Sequence, residues 1–156
     1  MTINMNRLVQ NVVKDPVWND TNKKAIQDAV KIQVEKIHKY LTAFNEIILE
    51  MQNNHMISIY DAGFIAPEKQ YLTCGVNGLV CGAEYLGIEI SNNETYRDYV
   101  NSIMVEIFDA NKKARTETLM FNTEMVPRRI MSGHVKLSLI DLDLPLGQQG
   151  ASVIAA

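Results

Sequence analysis

Two glycines in the segment Gly75-Val76-Asn77-Gly78 are the first residues whose type and spacing suggest binding chemistry. The flanking residues predict a strand before this segment and a helix after it. Glycine permits a sharp turn, and the free amides at a helix N-terminus can hold an anion. The segment lacks the Gly-Lys-Ser/Thr of a P-loop and the third glycine of a dinucleotide fingerprint. We interpret it as a structural turn, and a small nucleotide-binding site at this turn is the alternative.

The cysteines and histidines do not form a recognisable metal-binding or catalytic pattern in the sequence. Cys74 and Cys81 form no CxxC pair, and no histidine lies near enough to complete a zinc pattern. We therefore expect two buried thiols. His38 is expected at the surface or boundary of a long helix and His55 in a turn, while His134 lies close to the C-terminal end.

The composition indicates a single globular domain and excludes several classes of partner. A chain of 156 residues, 47% hydrophobic and 21% charged, holds enough apolar material for one core. Its net charge of -3 provides no general basic surface for nucleic acid. No apolar run reaches the roughly 18–20 residues of a membrane helix, and the N-terminus does not resemble a secretory signal. The cysteine content is typical of a reducing compartment, so we expect a cytoplasmic protein without nucleic-acid or membrane partners.

Two long helices are predicted to support the segments described above. Apolar residues recur at spacings of three or four through residues 21–53, and Asp20 or Thr21 is placed to cap that helix. A second helix is predicted over residues 92–114, beginning at the Ser-Asn-Asn-Glu capping box of residues 91–94. Each helix has one apolar face, so each is expected to pack against the rest of the domain.

Shorter apolar runs predict strands that alternate with helices. Residues 6–14 form either a short helix or the end of a strand and a turn, and residues 77–86 form a helix that Gly87 ends. Asp141 and Asp143 share one face of a strand, which suits a metal or a solvated surface, and we expect the solvated surface. Alternating elements favour an α/β fold with parallel pairing, as in barrels and open sheets. The expected strands are residues 56–60, 70–74, 119–125 and 134–139.

Several segments, taken in chain order, resemble one enzyme family, the anaerobic ribonucleoside-triphosphate reductases, which are glycyl-radical enzymes. We divide the chain accordingly into a partial reductase barrel domain, residues 1–127, and an atypical C-terminal tail, residues 128–156. We hypothesise that the tail comes from a shifted reading frame or a foreign end. The matching segments are TINMNRL at residues 2–8, VEKIHKY at 34–40, YDAGF at 60–64, KQYLT and GVNG within 69–78, and MFNTEMVP at 120–127.

The resemblance implies a fold, a reaction and a set of partners. It implies part of a ten-stranded α/β barrel of the glycyl-radical enzyme type, in which ribonucleoside triphosphates are reduced to deoxyribonucleotides. A glycyl radical generates a thiyl radical on a cysteine, and a radical-SAM activase installs the glycyl radical. Zinc, ATP and deoxyribonucleoside-triphosphate effectors and a homo-oligomeric state are implied for the full-length enzyme. Asn4 matches a substrate-contacting residue of the family, and Asn6 is the alternative, two positions along the same expected strand face.

The resemblance also implies parts that this sequence does not contain. The thiyl cysteine belongs upstream of residue 2, and the four-cysteine zinc site and the radical glycine belong downstream of the matched region. Cys74 and Cys81 stand at other positions, so we name no catalytic or metal-binding residue and no cofactor for this fragment. We expect a reductase fragment that is inactive alone. The alternative is a small non-enzymatic assembly or binding module whose two long helices pack against a partner.

Overall fold

The computed structural model describes residues 1–125, apart from the side chain of Glu68. The strand predicted at residues 134–139, the groups His134, Asp141 and Asp143, and the domain boundary at residue 127 lie outside the described residues. The strands are β1 (Thr2–Asn4), β2 (Tyr71–Asn77) and β3 (Met120–Met125), and the helices are α1 (Met5–Val12), α2 (Asp20–Asn53), α3 (Ser58–Asp61), a 3₁₀ turn (Pro67–Lys69), α4 (Leu79–Tyr85) and α5 (Glu94–Ala114).

The three strands form one parallel sheet in the order β1-β2-β3, with β2 in the centre. In the register of the sheet, Ile3 pairs with Val76 and Asn4 with Asn77, while Val76 also pairs with Met125 on its other side. The chain is therefore a mixed α/β fold with parallel strands and two long helices, as the sequence predicts. The ten-stranded barrel remains an expectation, since the described residues form three strands.

One face of this sheet is covered by helices, and we call it the covered face. The ring of Phe121 in β3 contacts the ring of His38 in α2, and Thr123 accepts a hydrogen bond from Asn111 in α5. Because paired residues of a parallel sheet point to the same side, the other members of this face follow from the register. The covered face consists of Ile3, Leu72, Cys74, Val76, Phe121, Thr123 and Met125.

The opposite face carries polar residues, and we call it the polar face. Side chains alternate along a strand, so each residue between two members of the covered face points to the other side. Parallel sheets are normally apolar on both sides, because both are packed against other elements. The composition of this face is therefore unusual for a sheet of this type. The polar face consists of Thr2, Asn4, Tyr71, Thr73, Gly75, Asn77, Met120, Asn122 and Glu124, so it is polar apart from Tyr71 and Met120 at the start of β2 and β3.

The predicted helix over residues 21–53 is confirmed as α2, and the one over residues 92–114 is confirmed as α5. The two helices pack against each other, and α2 also packs on β2 while α5 packs on β3. The apolar stripe of α2 is buried in its first two thirds only, since Phe44 is exposed. The buried apolar residues of the stripe are Ile26, Val30, Val34, Ile37 and Leu41.

The residues that begin the long helices differ from those predicted. Asn19, not Asp20 or Thr21, caps α2, and its side chain accepts a hydrogen bond from the backbone of Asn22 at 2.9 Å. Asn93, not the serine of the predicted box, caps α5 and accepts from the backbone of Tyr96 at 2.7 Å. Asparagine is as good a cap as serine or aspartate, so neighbouring candidates compete and the local backbone decides between them.

Two strand predictions need correction. Residues 56–60 do not form a strand, because local bonds such as Ala62 N to Ser58 O, at 2.9 Å, close the short helix α3 instead. The strand predicted at residues 70–74 is confirmed but continues as β2 to Asn77, so the following helix begins at Leu79. The strand predicted at residues 119–125 is confirmed as β3. Within residues 1–125, no helix is long and apolar enough to cross a membrane.

Candidate functional site

The carboxyl edge of the sheet is the place where the structure brings the candidate site residues together. Strands β1 and β2 end at Asn4 and Asn77, which are partners in the register. Ligands of open parallel sheets bind at this edge, because the loops that leave the strands surround it. The polar face adjoins the same edge, so a polar ligand there would meet the ends of both strands.

Asn4 has two roles in the structure. It is the last residue of β1 and the cap of α1, where its Oδ1 accepts a hydrogen bond from the backbone of Arg7 at 3.1 Å. The bond holds the amide oxygen in the helix cap and leaves the Nδ2 group of this exposed residue as its remaining donor. The alternative, Asn6, does not lie on the same strand face. It lies in the first turn of α1 and accepts from Gln10 at 2.7 Å, because the strand ends two residues earlier.

The two glycines of residues 75–78 do not form one turn. Gly75 lies inside β2, and its N–H donates to the carbonyl of Met1 at 2.7 Å, so this amide is not available to an anion. Gly78 alone has a left-handed backbone, with φ of 71°, and it starts α4. A Cβ atom there would lie 3.1 Å from the backbone nitrogen of Asn6 and 3.3 Å from Asn4 Oδ1. Gly78 therefore allows the start of α1 to pack against the end of β2.

Two polar-face residues that the sequence reasoning did not single out have the least satisfied side chains. The Oδ1 atoms of Asn77 and Asn122 are buried and have no hydrogen-bond partner within the described part of the chain. Most buried polar atoms in proteins are hydrogen-bonded, so each of these two needs an explanation. The signal that identifies them is the period of two in Thr73, Gly75 and Asn77, with Asn122 and Glu124 on the adjacent strand.

The cysteines lie away from the polar face. Cys74 belongs to the covered face and is fully buried, and burial raises the pKa of its thiol from 9.0 to about 11. A thiol held in its protonated form is a weak nucleophile. Cys81 lies in α4, is half-buried and is not in a disulfide. The prediction of two buried thiols is confirmed in full for Cys74 and in part for Cys81.

His38 is buried, so its predicted place at the surface or boundary of the long helix is wrong. Its Nε2 lies 2.7 Å from Asn111 Oδ1, and the Nδ2 group of Asn111 donates to Thr123 Oγ1 at 2.7 Å. This network assigns the proton to Nε2 of His38, since the Asn111 oxygen can only accept. These hydrogen bonds join α2, α5 and β3 below the covered face, where the network has a structural role.

The remaining titratable groups do not assemble into a metal site in residues 1–125. His55 lies in a turn, as predicted, and its Nδ1 is 3.2 Å from Asp61 Oδ1 at the surface. No three histidine, cysteine, aspartate or glutamate side chains within these residues are placed to hold a metal ion. The zinc implied by the resemblance therefore does not fit the described residues, and we assign it to none of them.

A family model settles the relationship of the chain to known enzymes. The model of the anaerobic ribonucleoside-triphosphate reductases matches residues 1–136. The chain belongs to this reductase family. The match confirms the resemblance and extends past residue 127, the predicted end of the similarity. No curated protein matches the chain.

Solved structures of anaerobic ribonucleotide reductases agree with this assignment. The Thermotoga maritima enzyme in complex with dATP and CTP is 25% identical, with a TM-score of 0.69, over 79% of this chain and 21% of that one. The same enzyme with citrate in the active site is also 25% identical, with a TM-score of 0.71, over 82% of this chain and 24% of that one. The chain thus spans about a quarter or less of these reductases, and its likeness to them is confined to that part.

Proposed function

We propose that this chain supplies one segment of the catalytic barrel of an anaerobic ribonucleoside-triphosphate reductase, which reduces ribonucleotides to deoxyribonucleotides by radical chemistry. The observation that carries the proposal is the polar face at the carboxyl edge of a parallel sheet, in a chain that belongs to the reductase family. A closed barrel of parallel strands places its ligand at that edge. The β1-β2-β3 sheet is then three of the ten strands, with α2 and α5 on the outside.

Asn4 is the substrate-contacting residue in this proposal. Its Oδ1 is held by the Arg7 backbone, which leaves its Nδ2 group as the donor at the edge of the sheet where Asn77 also ends. A ribonucleoside triphosphate carries hydroxyl and phosphate oxygens that accept from such a donor. The solved relative that binds dATP and CTP supports a nucleotide as the ligand class.

The radical machinery is proposed to lie in other segments of the reductase. Cys74 faces the helices and has a raised pKa, and Cys81 lies in α4, so neither thiol is placed on the polar face. The glycyl radical, its radical-SAM activase, the zinc site and the ATP or deoxyribonucleotide effectors belong, in this proposal, to the complete enzyme. A cytoplasmic location, homo-oligomerisation and a division between residues 1–127 and 128–156 are part of the same proposal.

Nitrogen-15 NMR of the purified protein tests the proposal directly, because side-chain amides give separate signals. On titration with CTP to millimolar concentration, we expect the Asn4 side-chain signals to shift. The signals of Asn101, an exposed amide on α5, should stay in place. The Asn4 side-chain signal is identified by its absence from the spectrum of Asn4→Ala, and this variant should bind CTP more weakly. Asn101→Ala is the matched control. The proposal would be contradicted if none of the signals in the spectrum shifted at that concentration.

Self-association through α2 is the second candidate function, and exposed apolar side chains favour it. Tyr40, Phe44 and Ile47 on α2 are each more than half exposed, and Phe64 after α3 is 82% exposed. Apolar groups exposed in this number are typical of contact surfaces. Sedimentation velocity distinguishes this candidate: a stable oligomer that Phe44→Glu dissociates, without any CTP-dependent NMR shift, would favour the assembly module.

A further inference from the structure

The Asn77 side chain has an unsatisfied hydrogen-bond acceptor at the candidate site. Its Oδ1 atom is buried and has no partner among residues 1–125. An unpaired buried acceptor destabilises a protein, so a group of this kind is expected to bind a donor in the functional state. The residue as a whole is only partly buried. Rotation about the Cβ–Cγ bond is soft for asparagine, so the oxygen can turn toward a ligand on the polar face.

The position of Asn77 beside Asn4 defines which ligand group it can reach. The two residues are register partners on adjacent parallel strands, so they lie side by side at the carboxyl edge. Gly78 follows directly, and the close approach of Asn6 and Asn4 to it keeps the start of α1 against the end of β2. The spacing between the two amides is therefore held by backbone contacts on both strands.

The two amides offer complementary chemistry. Asn4 uses its oxygen in the helix cap, so its Nδ2 group remains as a donor. Asn77 has a buried acceptor without a partner within the described residues, and rotation of its amide turns that acceptor toward the ligand. A neighbouring donor and acceptor suit two adjacent hydroxyl groups, one of which accepts while the other donates. A phosphate oxygen suits only the donor, because an anion does not donate to the Asn77 oxygen.

We infer that Asn77 is a second substrate-positioning residue, which accepts a hydrogen bond from the ribose 2′-hydroxyl while Asn4 donates to the neighbouring 3′-hydroxyl. This inference rests on the proposed function and adds to it a residue that distinguishes ribose from 2′-deoxyribose. A site built to bind a hydroxyl rejects the analogue that lacks it, because its own polar group is then left unpaired. Asn77 thereby favours the substrate of the reduction over its product.

Asn122 provides a matched control on the same face. Its Oδ1 is also buried without a partner within the described part of the chain. However, it pairs with Thr73, four residues before Asn77 along β2. Four residues of strand correspond to about 13 Å, which exceeds the reach of one sugar. Removal of the Asn122 amide therefore tests whether the loss of any unpaired asparagine on this face changes the preference for ribose over 2′-deoxyribose.

The experiment compares CTP with dCTP on the full 156-residue protein and its variants. Affinities are measured by NMR titration, and circular dichroism checks that each variant is folded. We expect the protein to bind CTP about tenfold more tightly than dCTP, the size expected of one hydrogen bond. Asn77→Ala should reduce this ratio to about one by weakening CTP alone, and Asn122→Ala should preserve the ratio. The Asn77 side-chain signals should shift with CTP and much less with dCTP.

The outcomes of this experiment separate the inference from the proposed function. Binding of CTP that is sensitive to Asn4→Ala, with a ratio that Asn77→Ala leaves unchanged, overturns the inference and leaves the proposed function standing. The inference is also overturned if Asn122→Ala lowers the ratio as much as Asn77→Ala. Absence of CTP binding by the unsubstituted protein overturns the proposed function and the inference with it. If Asn77→Ala is unfolded, the Asn77 signal in the unsubstituted protein decides instead, since a shift equal for CTP and dCTP contradicts the inference.

Discussion

The covered face and the polar face belong to the same three strands but differ in how their side chains are satisfied. On the covered face, Ile3, Cys74 and Val76 are almost completely buried in the core. On the polar face, the two buried amide oxygens of Asn77 and Asn122 have no partner in residues 1–125. The first face is thus arranged for stability, whereas the second keeps two unpaired amide oxygens whose presence does not stabilise the fold. In the function proposed above, binding accounts for the end of the second face that holds Asn4 and Asn77.

The largest effect is expected when two adjacent residues of β1, whose side chains point to opposite faces of the sheet, are substituted in turn. Ile3→Ala should lower the free energy of unfolding by about 2–5 kcal/mol, because it removes a buried side chain and leaves a cavity. Thr2→Ala, on the polar face, should change it by less than about 0.5 kcal/mol. Urea unfolding measures both values. Equal losses for the two variants would show that both faces are packed in the same way.

A second test uses alkaline pH to probe the covered face. Burial raises the pKa of Cys74 from 9.0 to about 11, so the folded protein holds this proton more tightly than the unfolded chain. The resulting stability is fully present below pH 9 and is lost as the pH rises toward 11, by about 2–3 kcal/mol.

The Cys74 contribution is measured as the difference between two pH profiles of urea unfolding. Cys74→Ala should show a shallower decline between pH 9 and 11, although it is less stable at neutral pH. Cys81→Ala keeps the buried thiol and should follow the profile of the unsubstituted protein. Parallel profiles for Cys74→Ala and the unsubstituted protein would argue against a buried, protonated thiol.

A third test concerns the polar chain beneath the covered face. Asn111→Ala should lower the free energy of unfolding by about 1–3 kcal/mol, because it leaves the buried His38 and the half-buried Thr123 without their shared partner. Asn101→Ala, an exposed asparagine on the same helix, should be nearly neutral. Thermal unfolding, monitored by circular dichroism, is sufficient to rank the stabilities of the two variants. A neutral Asn111→Ala would mean that water replaces the lost bonds.

The smallest effect is expected at the polar face itself. Asn77→Ala should leave the free energy of unfolding unchanged within about 0.5 kcal/mol or raise it slightly, because the substitution removes an unpaired acceptor. Asn4→Ala removes a helix cap and should cost about 1 kcal/mol. A marked loss of stability in Asn77→Ala would assign its amide to the fold and would remove the contrast between the two faces.

The elements are predictable where one periodic signal extends over many residues. The helices α2 and α5 follow from their apolar stripes, and parallel pairing follows from the alternation of strands and helices. Helix caps and short elements depend on competition between neighbours, which explains the errors at Asn19, Asn93 and α3. The burial of His38 depends on Asn111, a residue more than seventy positions away, which no local pattern indicates.

The candidate site is predictable only in part. The resemblance singles out Asn4, but it does not show that Asn77 is the register partner of Asn4, because the sequence predicts that β2 ends at residue 74. Once the strand is known to continue, the alternation of polar residues places Asn77 on the same face. The exact end of one strand therefore decides whether the second amide is recognised.

The pairing of β1 with β2 has a consequence for the order of folding. The amino group of Met1 donates to the carbonyl of Thr73, 72 residues along the chain, and the three residues of β1 make the neighbouring bonds. Closing so long a loop costs entropy before any contact repays it, so distant pairings of this kind form slowly. Helices α2 and α5 fold locally, and we expect β1 to dock last. Asn4 and Asn77 would then meet only in that final step, so hydrogen exchange at β1 reports when the carboxyl edge of the sheet is complete.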